Sequence, residues 1–420
     1  MFAACIIMAG GSGLRLWPES TSKKPKQFMA LPQGMSLTED NGRSFFSSSV
    51  KRALAVTTST ENPSANSSAN SSARDGLVVI VAGKSHIDAI ASDCKSLEES
   101  ELKRIVMITE PMAKNTAAAI AFALTYIKKN LPSGSEDNIL VLTSDHIIEP
   151  LDIFLKDTEK ASLFARQEKL AVFGIKPDRN ETGFGYIEAG TPLDPENSFE
   201  VISFHEKPDA EKAKFYVEKG NYFWNSGMFV FSLNFMLKEF SRNAGNVIDA
   251  FGILKAPAED AYIKKEGLKI LVNWENLEEV FKNTHAISFD YAIAEKCDQT
   301  VMIRADFSWK DVGSWDDYAK LSESLSANSL PPPAAPQKAS LSAPMTAEQS
   351  APLFGNSEAL ASCYVKSDIP VALWGVEDLI VVLRTGKEGP PVLMITKKGH
   401  SQGIREITEE IKNRGRSDLL

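Results

Sequence analysis

The first residues constrain this chain more than any later stretch. Phe2-Ala3-Ala4-Cys5-Ile6-Ile7 is an unbroken apolar run that reads as a buried first strand of a parallel sheet. Gly10, Gly11 and Gly13 follow it, and residues without a Cβ let the backbone turn off the strand end and approach a ligand closely. Successive N–H groups in such a turn form a concavity suited to phosphate. Arg15, Lys23, Lys24 and Lys26 bring cationic groups within reach of it. Glycines for backbone approach, together with a basic arm, point to a polyphosphate and hence to a nucleotide.

The common nucleotide loops do not account for this one. A dinucleotide fingerprint G-x-G-x-x-G requires a third glycine where Leu16 stands. A P-loop requires G-x-x-x-x-G-K-[ST], which does not occur here. The run from Gly11 to Pro18 is instead G-x-G-x-R-L-W-P, followed by Pro25-Lys26-Gln27-Phe28. It resembles the signature of sugar-1-phosphate nucleotidyltransferases. Trp17 and the Pro-Lys-Gln-Phe ending look most like their mannose-1-phosphate guanylyltransferase branch.

With 420 residues the chain has room for one large α/β domain and a small one. A hydrophobic share of 43% suits a substantial core. The formal charge of −9 argues against general nucleic-acid or anionic-membrane binding, so the cluster from Lys23 to Lys26 marks a local site rather than a basic face. Cys5, Cys94, Cys297 and Cys363 are widely spaced and contain no C-x-x-C pair, as expected for reduced thiols in a cytoplasmic protein. No apolar stretch approaches membrane length, so no membrane partner is expected.

Strands are predicted over Leu77–Ala82, Arg104–Thr109, Asn138–Thr143 and Leu170–Ile175, with helices over Ser44–Val56, from His86, from about Asn115 and over residues 151–167. This alternation predicts an α/β fold with a doubly wound, mostly parallel, Rossmann-like sheet. Residues 57–74 are Ser, Asn, Thr and Ala and read as a low-complexity surface insertion. Asn115 or Thr116 is placed to cap the alanine-rich helix that follows. Asp145 lies just past the Asn138–Thr143 strand, where ligands bind in open α/β sheets.

The resemblance continues in family order. Asn115-Thr116-Ala117-Ala118-Ala119-Ile120 is similar to the family's N-T-A-P-A-I, with Ala118 in place of proline. Thr182-Gly183-Phe184-Gly185-Tyr186-Ile187, Phe204-His205-Glu206-Lys207-Pro208 and Trp224-Asn225-Ser226-Gly227-Met228-Phe229 look like T-G-Y-G-Y-I, F-x-E-K-P and W-N-S-G-x-F. Ser288-Phe289-Asp290-Tyr291-Ala292 and Trp309-Lys310-Asp311-Val312-Gly313 complete a match over residues 3–318. Where the family shows Q-x-T-x-x-R, this chain has Ser47, Ser49 and Arg52. Residues 1–325 are therefore expected to form the catalytic domain, 326–356 a Pro/Ala/Ser linker, and 357–420 a small β-rich domain ending in an amphipathic helix. The family places a short left-handed β-helix-like domain here, often used in subunit contacts, so a homodimer is expected and a further isomerase-type cupin is not.

The reaction this implies is attack of a sugar phosphate oxygen on the α-phosphorus of a nucleoside triphosphate, with loss of pyrophosphate. Such a nucleophile is already anionic, so no general base is needed, and no Ser/His/Asp or Cys/His arrangement presents itself. Arg15 and Lys26 suit a triphosphate, the first as a bidentate fork and the second as a point charge. By resemblance, Lys26 neutralises the transferring phosphate and Arg15 the pyrophosphate, while Gly10, Gly11, Gly13 and Asn115 belong to the nucleotide site. Glu110, or equally backbone carbonyls, can accept from the guanine N1–H and amine. Lys207 suits the sugar phosphate, and Glu206 and Asn225 suit sugar hydroxyls, with Trp224 or Phe184 against an apolar sugar face. Gly185 and Asp290 join this set through their motifs. Asp145 and Asp311 match family metal positions and suit Mg²⁺, which is held by one or two carboxylates plus phosphates and waters. His146 is a poor ligand for so hard an ion.

The expected activity is transfer of GMP from GTP to α-D-mannose 1-phosphate, giving GDP-mannose and pyrophosphate. A different hexose 1-phosphate and nucleotide pair, or a non-catalytic nucleotide-sugar sensor, would share the fold. Sensors of that kind typically lose the lysine or the metal aspartates, and here Lys26, Asp145 and Asp311 are all present.

Overall fold

A computed structural model describes residues 2–11, 13–32, 43–58, 75–131, 137–194, 197–329, 351–385 and 390–420. Most of the low-complexity insertion and of the Pro/Ala/Ser segment lies outside these residues. The chain forms two compact units: Met1–Gly10 with Ser48–Lys310, and Gly11–Ser47 with Asp311–Leu420.

The first unit is built on an eleven-stranded sheet. Its strands are β1 (Ala4–Met8), β2 (Leu77–Gly83), β3 (Ile105–Glu110), β4 (Asn138–Thr143), β6 (Leu170–Ile175), β7 (Tyr186–Pro192), β8 (Ser198–His205), β9 (Tyr222–Ser232), β10 (Tyr262–Lys265), β11 (Leu268–Leu271) and β12 (Thr300–Arg304). A short strand β5 (His146–Glu149) lies outside the sheet. The order is β10-β11-β3-β2-β1-β4-β9-β6-β12-β8-β7. β1 sits between β2 and β4, parallel to both, and its residues Ala4 to Ile7 are wholly buried, which is why that run carries no polar residue. β8, β9 and β10 run against the other strands, so the sheet is mostly parallel, as expected. The insertion of reversed β9 between β4 and β6 departs from simple doubly wound alternation.

The helix Asn115–Asn130 packs a continuous buried run from Ala117 to Ile127, and its alanines let a helix backbone approach closely. Phe122 anchors an aromatic cluster with Phe251, Trp274 and Phe281, at centroid distances of 5.4 to 6.3 Å. Neither expected residue caps this helix. Asn115 takes a left-handed φ of 65° and its Oδ1 accepts from the adjacent Thr116 N–H at 2.8 Å. The Thr116 hydroxyl oxygen is instead used by the Phe289 N–H, at 2.8 Å.

In the second unit, helical turns Leu14–Leu16 and Lys26–Phe28 accompany the helix Trp315–Ser329. After β13 (Ser308–Asp311) come β14 (Leu353–Gly355), β15 (Tyr364–Lys366), β16 (Val371–Leu373), β17 (Leu379–Arg384) and β18 (Val392–Lys397), then the helix Ile404–Asn413. β14 pairs with β16 and β15 with β17, both in parallel, and β18 closes antiparallel on β17. The small C-terminal β-rich region is therefore present. Among the described residues no helix is long and apolar enough to cross a membrane.

Candidate active site

In the first unit, β1, β2, β3 and β4 end at one edge of the sheet, because Met8 is level with Val81 and Thr143, and Gly83 with Glu110. Gly10, Glu110 and Asp145 follow from these carboxyl ends, where open parallel sheets bind ligands. A Cβ on Gly10 would lie 3.8 Å from Glu110 Oε2, so the glycine turn runs beside that carboxyl. Burial pushes the Glu110 carboxyl up from its ordinary 4.5 to about 7.

The turn that carries Asp145 is fastened by Ser49 and Arg52, which stand in the register of Q-x-T-x-x-R but to which the motif assigned no role. Ser49 Oγ donates to the Thr143 carbonyl at 3.1 Å. Arg52 Nη2 donates to Ser49 Oγ at 2.8 Å and to the His146 carbonyl at 3.0 Å. Arg52 is buried, which lowers it to about 10, and the charge of Glu149 opposes that shift. Trp309 Nε1–H donates to His146 Nδ1 at 3.1 Å, which leaves His146 Nε2 facing Asp145 Oδ1 at 3.8 Å. The signal was a Ser-x-x-Arg spacing on one helical face, which sets Ser49 beside Arg52.

The sugar-side motifs converge within the same unit. Asn225 N–H donates to the Gly185 carbonyl at 2.8 Å, and Asn225 Nδ2 donates to Asp290 Oδ1 at 2.9 Å. A Cβ on Gly185 would stand 2.5 Å from Glu206 Oε2, so this glycine makes room for the carboxylate. Glu206 Oε1 pairs with Lys207 Nζ at 3.1 Å; the lysine is largely exposed and the glutamate nearly buried. Burial, aided by the charge of Glu206, pushes Asp290 up to about 6. Gly185, Glu206, Lys207, Asn225 and Asp290 thus form one polar cluster, and Asn115 connects to it through the Thr116–Phe289 bond. Trp224 is buried beneath the Arg179 guanidinium, 5.1 Å from its ring centroid, so only Phe184 keeps a partly exposed ring there.

In the second unit the glycine turn is tied to the basic arm. Gly13 has φ 51°, and a Cβ on it would lie 2.5 Å from the backbone nitrogen of Lys26. Gly11 has φ 118°, again outside the range of ordinary side chains. Lys26 is buried, its Nζ 2.6 Å from Asp311 Oδ1 and 5.7 Å from the Phe45 ring centroid. Arg15 is exposed, and its Nη1 lies 3.8 Å from where a Cβ on Gly313 would stand, so it points at the turn that follows Asp311. Gly13, Arg15, Lys26 and Asp311 therefore belong to one unit, although Lys26 and Asp311 are 285 residues apart in sequence.

The first unit carries carboxylates at strand ends, and the second a buried ammonium beside a glycine turn, residue types suited to phosphate chemistry. A family model for nucleotidyl transferases matches residues 4–328, and the chain belongs to that family. It is 30% identical to the mannose-1-phosphate guanylyltransferase of Salmonella montevideo over 422 residues, covering 99% of this chain and 75% of the relative. Against the mannose-1-phosphate guanylyltransferase of Escherichia coli K12 it is 29% identical over 416 residues, covering 98% and 74% of the two chains. A solved structure described as a mannose-1-phosphate geranyltransferase from Thermus thermophilus shares the fold at TM-score 0.68 and 23% identity, covering 98% of this chain and 100% of its own.

Proposed function

We propose that the chain transfers GMP from GTP to α-D-mannose 1-phosphate, forming GDP-mannose and pyrophosphate. The observation that carries this reading is the pairing of buried Lys26 with half-buried Asp311 at 2.6 Å, the lysine seated against Gly13. It holds in place one charge suited to phosphate and one suited to a cation. The names of the relatives supply the mannose and the guanosine.

The sugar phosphate attacks as an anion, so the protein's task is to assemble and neutralise charge. Lys26 receives the charge that grows on the transferring phosphate, and Arg15 grips the departing pyrophosphate as a fork. The N–H groups of Gly10, Gly11 and Gly13, with Asn115, line the nucleotide, and Glu110 accepts from guanine. Lys207 meets the sugar phosphate, while Glu206, Asn225 and Asp290 bond hydroxyls and Gly185 leaves them space.

Asp145 and Asp311 each offer hard carboxylate oxygens, the donor type that Mg²⁺ takes. Asp145 and Asp311 would hold the ion, which when bound supplies charge neutralisation on phosphate oxygens. Residues 1–325 would serve as the catalytic domain and 357–420 as a C-terminal domain, in a cytoplasmic homodimer.

Pyrophosphate release measured over the four nucleoside triphosphates and several hexose 1-phosphates, with Mg²⁺ and then with excess EDTA, tests this. The expected result is the highest kcat/KM for GTP with mannose 1-phosphate and none in EDTA. A better pair of substrates overturns the specificity, and turnover in EDTA overturns the metal.

A further inference from the structure

Trp17 distinguishes the signature loop, yet the chemistry above gives it nothing to do. It is buried, and its Nε1–H donates to the Leu419 carbonyl at 2.8 Å, 402 residues further along the chain. That same carbonyl accepts from Arg384 Nη2 at 3.1 Å, while Arg384 Nη1 donates to the Pro18 carbonyl at 3.1 Å. The Trp17 carbonyl accepts from Trp315 Nε1–H at 2.8 Å. Lys366 Nζ faces Glu19 Oε2 at 3.8 Å, and Ser22 Oγ donates to the Leu420 carbonyl at 2.9 Å.

We propose that the C-terminal β-rich region acts as a brace on the phosphate-binding loop, with Arg384 and Trp17 as positioning residues for Arg15 and Lys26. The contacts fall on Trp17 to Ser22, directly between those two cations. Most of them join backbone carbonyls to indole N–H groups or to a buried guanidinium, groups with few ways to reorient. Arg384 touches no reacting group; it bonds the loop at Pro18 and the segment that grips Trp17, so one side chain closes both ends of the clamp. The inference rests on the proposed transferase reading for its kinetic part only.

Hydrogen exchange and steady-state kinetics on Arg384→Met, Arg384→Lys and Trp17→Phe test the brace. Exchange of amides 14–28 in Arg384→Met is expected to rise roughly tenfold, the factor for a lost charge-assisted hydrogen bond. Amides of β2, in the other unit, should keep wild-type protection. kcat should fall by a similar factor of roughly ten with KM for mannose 1-phosphate unchanged, and Arg384→Lys should recover part of it. Trp17→Phe, which keeps the ring packing and loses a single hydrogen bond, should show the same pattern more weakly. Wild-type exchange over 14–28 in both Arg384→Met and Trp17→Phe overturns the brace. Exchange raised equally in both units also overturns it, since the residues then serve general stability. The exchange readout needs no substrate. If wild-type protein fails to turn over GTP and mannose 1-phosphate, the transferase reading falls while the exchange result still judges the brace.

Discussion

On the proposed assignment, Glu110 and the two lysines divide the chemistry in ways single substitutions can separate. Glu110 sits with its carboxyl raised to about 7 from 4.5, so the folded protein favours its protonated form. Its contribution to stability is therefore full below about pH 4.5 and lost as pH rises through 7. The melting temperature of Glu110→Gln should gain on wild type across that window. Guanine needs the ionised acceptor, so GTP binding should release a proton. KM for GTP should fall with rising pH, by up to about tenfold per unit on the acid side, and flatten in Glu110→Gln. A flat wild-type profile removes Glu110 from base recognition. The lysines should fail differently. Lys26→Ala should lower kcat roughly 100-fold, the loss of one preorganised contact to growing charge. It also removes the buried ammonium paired with half-buried Asp311, so Tm should drop as well. Lys207→Ala, at a largely exposed position, should mainly raise KM for mannose 1-phosphate and leave Tm and GTP affinity near wild type. If Lys207→Ala weakens GTP instead, the assignment of the two phosphates is wrong. Lys26, Asp311 and Asn225 were legible in the sequence because each stands in a motif whose neighbours are also present. Arg52 stands in a motif register too, but its work, to bond the carbonyl of a turn 94 residues away, shows in no pattern.

At the scale of elements, the five strands expected before residue 176 were legible to within a residue or two, because a strand covered on both faces shows as an unbroken apolar run. The reversal of β9 was not. Phe229, Val230 and Phe231 pair antiparallel with β4, and the apolar texture of a buried strand is the same in either direction. The glycine turn shows why spacing alone is an incomplete guide. Gly11 and Gly13 both hold positive φ, but a Cβ on Gly11 meets nothing within 4 Å, whereas one on Gly13 meets the Lys26 nitrogen at 2.5 Å. Gly11→Ala should cost about 1–2 kcal/mol of stability through backbone strain and leave kcat within a few-fold. Gly13→Ala should displace Lys26 and cut kcat on the order of 100-fold, the penalty for misplacing a group by about 1 Å. Urea melts and single-turnover rates on the two variants decide this, and equal kcat values would show that Gly13 does not set the position of Lys26.

For the whole molecule, the partition into units was the least legible feature. The residues that build the second unit, Gly11–Ser47 and Asp311–Leu420, share no local pattern, and nothing in the signature around Trp17 points to its bond with Leu419. That partition has a consequence for biosynthesis. Early β-strands of the first unit can begin to pair as they emerge, but the segment bearing Arg15 and Lys26 must wait for Asp311, Arg384 and Leu419. At about 5–20 residues per second, the wait from residue 47 to residue 419 is roughly 20–75 s. Through that interval the segment has neither its carboxylate partner nor its clamp, and the nascent chain should be unable to grip phosphate. In pulse-labelled refolding, amides 14–28 should gain protection later than those of β2 and β3. Simultaneous protection would mean that the segment finds its conformation without its distant partners. The phosphate grip is thus acquired only after residue 419 has been made, so translation that stalls before it yields chains unable to sequester nucleotide.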